Sequence, residues 1–172
     1  MHSMIEAVAE VFKQAGWKYE LDADDQGIRA HIAGTNGDWL FWVLVEGSVM
    51  TMLSALPMGV PKARRSPCAE LLTRINCASR IGVFTVDFDD GDLCCKYSFV
   101  LAGEIPAEQL NLLVHFSLER MDRYFPAIMA VVYAGVPPTE ALQRANGDAK
   151  LVAACGKAVE HLGGDEFSRW RN

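Results

Sequence analysis

LLTRINCASRIGVFTVDFDDGDLCCKYSFVL over residues 71–101, followed by IPAEQLNLLVHFSLERMDRYFPAIMAVVYAG over residues 105–135, decides the fold. It reads as helix, hairpin, long helix. Leu71, Leu72 and Ile75 recur at helical spacing, behind Ser66 as a cap and Pro67 at the first helical position, and predict a helix to about Ser79. Phe84, Val86 and Phe88 then alternate with polar residues and predict a strand over 82–88. Asp89-Asp90-Gly91-Asp92 supplies the turn. On the returning strand, 93–101, Leu93, Cys95, Tyr97, Phe99 and Leu101 share one face. Pro106 opens a long helix with a stripe through Leu110, Leu113, Val114, Leu118, Met121, Phe125, Ile128 and Val132. Pro126 removes one backbone donor from it and predicts a kink.

Toward the N-terminus, Met4, Val8, Val11, Phe12 and Ala15 predict an amphipathic helix over 2–15 that Gly16 stops. Residues 17–21 can form a short strand, and the polar DADDQG segment after it is a hairpin connection. Ile28, Ala30 and Ile32 alternate with Arg29 and His31 as a half-buried strand, which Asn36-Gly37 turns. Residues 39–45 are apolar at every position, and 49–56 are nearly so, with Glu46-Gly47-Ser48 between them. Residues 57–67, rich in proline and basic side chains, are a connection. Beyond Gly135 and Pro137-Pro138, residues 139–145 and 148–162 read as helical, and Gly163-Gly164 releases a polar tail.

The fold class is therefore α+β, a single antiparallel sheet of five to six strands. An N-terminal, a mid-chain and a long C-terminal helix pack on it in the order α-β-β-β-α-β-β-α. Residues 1–145 form the domain, and 146–172 a helical extension with a polar tail. One layer of helices covers one face of such a sheet, so a central strand apolar on both sides calls for a second cover. A homodimer, or a captured polypeptide, is the expectation. The candidate contact residues are Trp39, Phe41, Trp42, Val43, Met50 and Met52, with Arg64 and Arg65 from the only compact basic cluster before the C-terminus.

With 172 residues, half of them hydrophobic, the chain has ample material for one core. A formal charge of -6 opposes attraction to nucleic acid phosphates and anionic membranes. The longest strongly apolar run is far shorter than the roughly 20 residues that span a bilayer, and residues 1–16 lack the features of an export signal. Five cysteines without CxxC spacing suit free thiols in a reducing cytoplasm.

Several segments resemble the YbjN family of bacterial sensory transduction regulators. They are Gln26-Gly27, the central strand 39–45, Arg74-Ile75-Asn76, Ile81-Gly82-Val83-Phe84, Asp87 with Gly91, and Met121-Asp122-Arg123-Tyr124-Phe125-Pro126 ahead of Gly135. The resemblance spans roughly residues 4–145. It implies a fold like that of type III secretion chaperones, small acidic proteins that pair as dimers and hold partner polypeptides, and it brings no catalytic motif.

Candidate chemistry elsewhere has simpler readings. Counted as a calcium loop, Asp22 to Gly27 puts Ala33 where the closing carboxylate must stand, so it reads as a solvated turn. The acids at 87, 89, 90 and 92 belong to hairpin chemistry rather than to a cation. Cys94 and Cys95 face opposite sides of a strand and cannot pair, although Cys94 beside Lys96 is a candidate reactive thiol. His2, His31, His115 and His161 have no metal or triad spacing, and no phosphate-binding glycine motif occurs, so no cofactor is expected. The sequence points to a non-enzymatic protein-binding module, regulatory or chaperone-like. The competing expectation is a small-molecule sensor, its pocket between the long helix and the sheet and lined by Trp42, Tyr97 or Tyr124.

Overall fold

The computed structural model describes residues 4–21, 27–103 and 105–147. Helix α1, Met4–Gln14, buries Ile5, Val8, Val11 and Phe12 on one stripe. Gly16 at φ 72° ends it. The Trp17 amide donates to the Phe12 carbonyl at 2.9 Å and the Gly16 amide to that of Lys13 at 3.1 Å. The Trp17 and Phe12 rings meet edge to face at 5.4 Å. This is a Schellman motif with its apolar clasp, and it directs the chain into the sheet.

Strands β1 (Tyr19–Leu21), β2 (Gly27–Ala33), β3 (Asp38–Glu46) and β4 (Val49–Ala55) form an antiparallel meander. Helix α2 (Arg65–Cys77) then crosses to β5 (Val83–Val86), and β6 (Leu93–Val100) returns to pair with β4. The sheet has six strands in the order β1-β2-β3-β4-β6-β5. Helices α3 (Ala107–Val132) and α4 (Pro138–Gly147) complete the described chain. The expected α+β class and strand number stand. Four strands precede α2, one more than the order α-β-β-β-α-β-β-α counts, and α4 is the helix read over 139–145. The extension over 148–162, the DADDQG connection at 22–26 and Gln26 lie outside the described residues.

Helices α1, α2 and α3 pack on one face of the sheet, and α4 packs on α2 and α3. Phe12 of α1 stacks on Phe41 at 6.0 Å between centroids. Phe84 meets Tyr124 of α3 edge to face at 5.9 Å, and Tyr97 meets Phe116 of α3 at 6.1 Å. Trp39, Phe41, Val43, Met50, Met52, Cys95 and Tyr97 are buried beneath that layer. Fully burying a side chain of this size is worth about 1.5–3 kcal/mol, so this face holds most of the fold's stability.

Three local devices set the geometry around the sheet. Pro126 deprives the Asp122 carbonyl of its usual amide partner four residues on, and Asn36 in the β2–β3 turn replaces it. Asn36 Nδ2 donates to Asp122 O at 3.2 Å and to Oδ2 at 3.1 Å, and its amide donates to Oδ1 at 2.8 Å. Helix α3 thus continues through the proline as one element while its gap is used to bolt the hairpin down. Gly37 sits where a Cβ would run into the Phe125 ring, so glycine is needed there for close approach.

The second device closes a sheet edge. Asn76, at the end of α2, donates from Nδ2 to the Phe84 carbonyl at 2.8 Å and accepts from the Phe84 amide at 2.9 Å. Its amide stands in for a neighbouring strand at the β5 edge. The third device is the acidic turn. Asp89 and Asp92 amides donate to the Asp87 and Asp90 carboxylates at 2.7 and 2.8 Å, while the Asp87 amide donates to the Asp92 carbonyl at 2.8 Å. These Asx bonds end β5 at Val86, two residues before the expected Phe88.

The start of α2 also differs from expectation. A 3-10 turn over Lys62–Arg64 runs directly into the helix at Arg65, without a side-chain cap. Ser66 is therefore inside the helix rather than capping it. Pro67 falls in the first turn, where its missing amide has no intrahelical partner to lose.

Candidate functional site

The strand pleat sends every second side chain to the face that carries no helix. In register across all six strands lie Glu20, Arg29, Trp42, Leu53, Lys96 and Val83. The neighbouring row is His31, Leu40, Ala55, Cys94 and Thr85, and the row on the other side holds Leu44, Thr51 and Ser98. Leu40, Trp42, Leu44 and Leu53 are half-buried. Val83, Val49 and Val100 are 51%, 38% and 79% exposed. Among the described residues nothing lies over this apolar centre.

Polar groups frame it. Arg29 pairs with Glu20 at 2.7 Å, and both side chains are largely exposed, so the pair is worth at most a few tenths of a kcal/mol. The Thr51 and Ser98 hydroxyls bond at 3.1 Å, and the Thr85 hydroxyl lies 3.1 Å from Cys94 Sγ. A shallow concavity of about 430 Å³ opens beside β1, with Leu40 and Trp42 as its apolar lining and Lys18, Arg29 and His31 bringing cationic or ionisable groups. Glu20 lines it too and neutralises Arg29, so the surface suits an apolar side chain or stripe.

Of the contact residues expected from the sequence, only Trp42 faces this way. Trp39, Phe41, Val43, Met50 and Met52 are at most 1% exposed beneath α1 and α3 and cannot touch a partner. Arg64 donates from Nε to the Val131 carbonyl at 3.1 Å, with Nη2 on the same oxygen, and so ties the start of α2 to the end of α3. Arg65 donates to the carbonyls of Val60 at 3.0 Å, Phe88 at 2.7 Å and Asp89 at 3.0 Å. Arg64 thus clamps two helix ends and Arg65 two loops. The residues that sequence reasoning missed, Leu40, Leu44 and Leu53, were within the segments it singled out. Period-two parity separates them from Phe41, Val43 and Met52, but two apolar parities leave open which one the helices take.

On the helix side, Trp42 is absent, Tyr124 meets Phe84 and Tyr97 meets Phe116, so the three aromatics expected to line one pocket stand on two faces. Arg120 stacks over the Phe84 and Tyr124 rings at 5.4 and 5.7 Å. Its Nε and Nη2, and Tyr97 Oη, are buried without a hydrogen-bond partner among the described residues. Burial pushes the Cys95 thiol up to about 12, against a smaller lowering by Arg120, and it raises Tyr97 as well. Cys68 is pushed up to about 11 by burial. Cys94 and Cys95 point to opposite faces, the first half-buried and the second fully buried. No group of three His, Cys, Asp or Glu side chains among the described residues is placed to hold a metal ion.

Residues 5–130 match the model of the YbjN family, described as "Putative bacterial sensory transduction regulator". The chain belongs to the YbjN family. In fold it is similar to YbjN from E. coli in its crystal structure, with a TM-score of 0.54 at 15% identity over 77% of this chain and 92% of that one. No curated protein matches the chain. The YbjN match takes in the whole sheet, both its faces and most of α3, and ends before α4. The family is named for regulation rather than for a reaction. No described helix is long and apolar enough to cross a membrane.

Proposed function

We propose that this YbjN-family chain is a non-enzymatic regulatory or chaperone-like module that holds a polypeptide against the open face of its sheet. One observation carries the reading: Leu40, Trp42, Leu44 and Leu53 form a contiguous apolar centre on a rigid six-stranded sheet, with no layer over it among the described residues. Peptide capture on such a surface asks for shape and apolar area rather than reactive groups. The four cysteines among the described residues are unpaired, which suits a reducing cytoplasm. A homodimer joined through β3 and β4 would use this same face, since the other parity of those strands is spent on the core. The test is affinity capture from native extract with the unmodified chain and with Trp42→Asp side by side. Specific chains that co-purify with the first and not with the second support the reading, and recovery of both proteins bare overturns it.

Ligand sensing is a second reading with its own observation, Arg120 Nε and Nη2 and the Tyr97 hydroxyl buried beneath α3 with the Cys95 thiol as their neighbouring polar group. Those donors suit a small carboxylate or phosphate. A rise in Tm with acetate or inorganic phosphate that Arg120→Met removes would favour it. An identical melt in both proteins at every concentration of either anion would dismiss it.

A further inference from the structure

We infer that the concavity beside β1 receives the C-terminal residue of the captured polypeptide, its free carboxylate between Lys18 and His31 and its apolar side chain on Leu40 and Trp42. The inference rests on the proposed role of the open face and names the part of the partner that this face recognises. At about 430 Å³ the concavity is near the small end of the roughly 300–1,000 Å³ of ligand sites, room for one residue or two rather than for a length of chain.

Charge is divided unevenly among its walls. Glu20 Oε2 accepts from Arg29 Nε at 2.9 Å and lies 2.7 Å from Nη2, so these two opposite charges answer each other. Lys18 and His31 remain. Both line the concavity and are exposed, and neither has a hydrogen bond or an ion pair among the described residues. Nitrogen donors without partners, set beside an apolar floor, call for an anion joined directly to an apolar group.

The register sets the distance between the two kinds of group. His31 of β2 pairs with Leu40 of β3, and Arg29 with Trp42, so the polar column and the apolar column stand on adjacent strands, about 4.8 Å apart. In a C-terminal residue three or four bonds separate the carboxylate carbon from the middle of the side chain, a span of about 4–5 Å. An acidic side chain within a chain fits less well. In an extended segment its immediate neighbours point to the opposite face, and the next residue on its own face is roughly 6.7 Å away. The anion whose spacing matches is a terminal carboxylate, and the partner's end is therefore apolar and uncapped.

The experiment is an NMR titration of the isotope-labelled full chain with three synthetic peptides. They are N-acetyl-glycyl-seryl-phenylalanine as the free acid, the same tripeptide as its C-terminal amide, and N-acetyl-glycyl-glutamyl-phenylalanyl-glycine amide, which carries its carboxylate in a side chain. The expected result is that the free acid shifts the signals of His31, Leu40 and Trp42, and that the other two bind about five- to tenfold more weakly, the worth of two exposed charge contacts. Lys18→Gln/His31→Gln should bring the free acid down to the level of the amide. Both positions are exposed, so the double variant should melt as the unmodified chain does. Equal affinity for acid and amide overturns the inference, as does a side-chain acid that binds as tightly as the free acid. An advantage of the free acid that survives in the double variant overturns it too, and so does the absence of shifts at these residues at millimolar peptide. Each of these failures leaves the partner-binding role standing, because that role fails only if Trp42→Asp leaves capture unaltered or nothing is captured.

Discussion

The two faces of the sheet are built from the same strands and have opposite fates. In β3, Trp39, Phe41 and Val43 are buried beneath α1 and α3, while Leu40, Trp42 and Leu44 between them are half-exposed on the other side. Both sets are apolar, so the difference lies in what covers them and not in composition. A residue on the helix side contributes to stability through packing. A residue of similar hydrophobicity on the open side has little to lose on truncation and is free for a partner.

The largest expected contrast is between neighbours. Phe41→Ala should cost about 3–5 kcal/mol in chemical denaturation, as large aromatic truncations in a packed core do, whereas Trp42→Ala should cost less than about 1 kcal/mol. Equal losses at the two positions would break the distinction between the faces. Next come the side chains that hold the frame. Asn76→Ala leaves the Phe84 amide and carbonyl at the β5 edge without partners and should cost about 1–3 kcal/mol by the same measurement. A loss no larger than that of an exposed substitution would show that water serves the edge equally well. Arg65→Ala removes three bonds to carbonyls of two loops and belongs in the same range. If Arg65 instead serves partner contact, capture will fall while stability does not.

A smaller effect is expected from pH. Burial holds the Cys68 and Cys95 thiols near pH 11 and 12, above the usual 9.0, and raises Tyr97 too. In the unfolded chain these groups ionise earlier, so the folded state gives up stability as pH climbs from about 9 toward 12 and gives up none of it below 9. Denaturant midpoints should be insensitive to these groups between pH 6 and 8 and fall above 9. Cys95→Ala should soften that fall, and an unchanged slope would count against a neutral buried thiol. Because Cys95 is on the helix side and Cys94 on the open side, Cys94→Ala should leave the slope alone.

Much of the architecture was legible because local patterns carry it. Gly16 after a helical stripe, the Asn36-Gly37 turn, the Asp-Gly hairpin and the stripe of α3 each specify their own geometry, and each appears in the structure. The misplaced boundaries are those set by contacts distant in sequence or by side chains competing for backbone. Asp87 and Asp90 take amides that would otherwise extend β5, and the 3-10 turn at Lys62–Arg64 removes the need for Ser66 as a cap. The site was half legible. The segments 39–45 and 49–56 do carry the open apolar face, but the parity left uncovered depends on which side α1 and α3 land, information carried by residues 60 or more positions away from β3 in the case of α3. Arg64 and Arg65 look like a surface patch in sequence because backbone carbonyls, their actual partners, leave no trace in side-chain composition.

The most direct test of the two-faced sheet is to compare three full-length proteins in the same capture from native extract: the unmodified chain, Trp42→Asp on the open face, and Leu112→Asp at an exposed apolar position on α3. With all three melting cooperatively, the expected result is that Trp42→Asp loses the co-purifying chains and Leu112→Asp keeps them. Retention by Trp42→Asp together with loss by Leu112→Asp would place recognition on the helices and contradict the account.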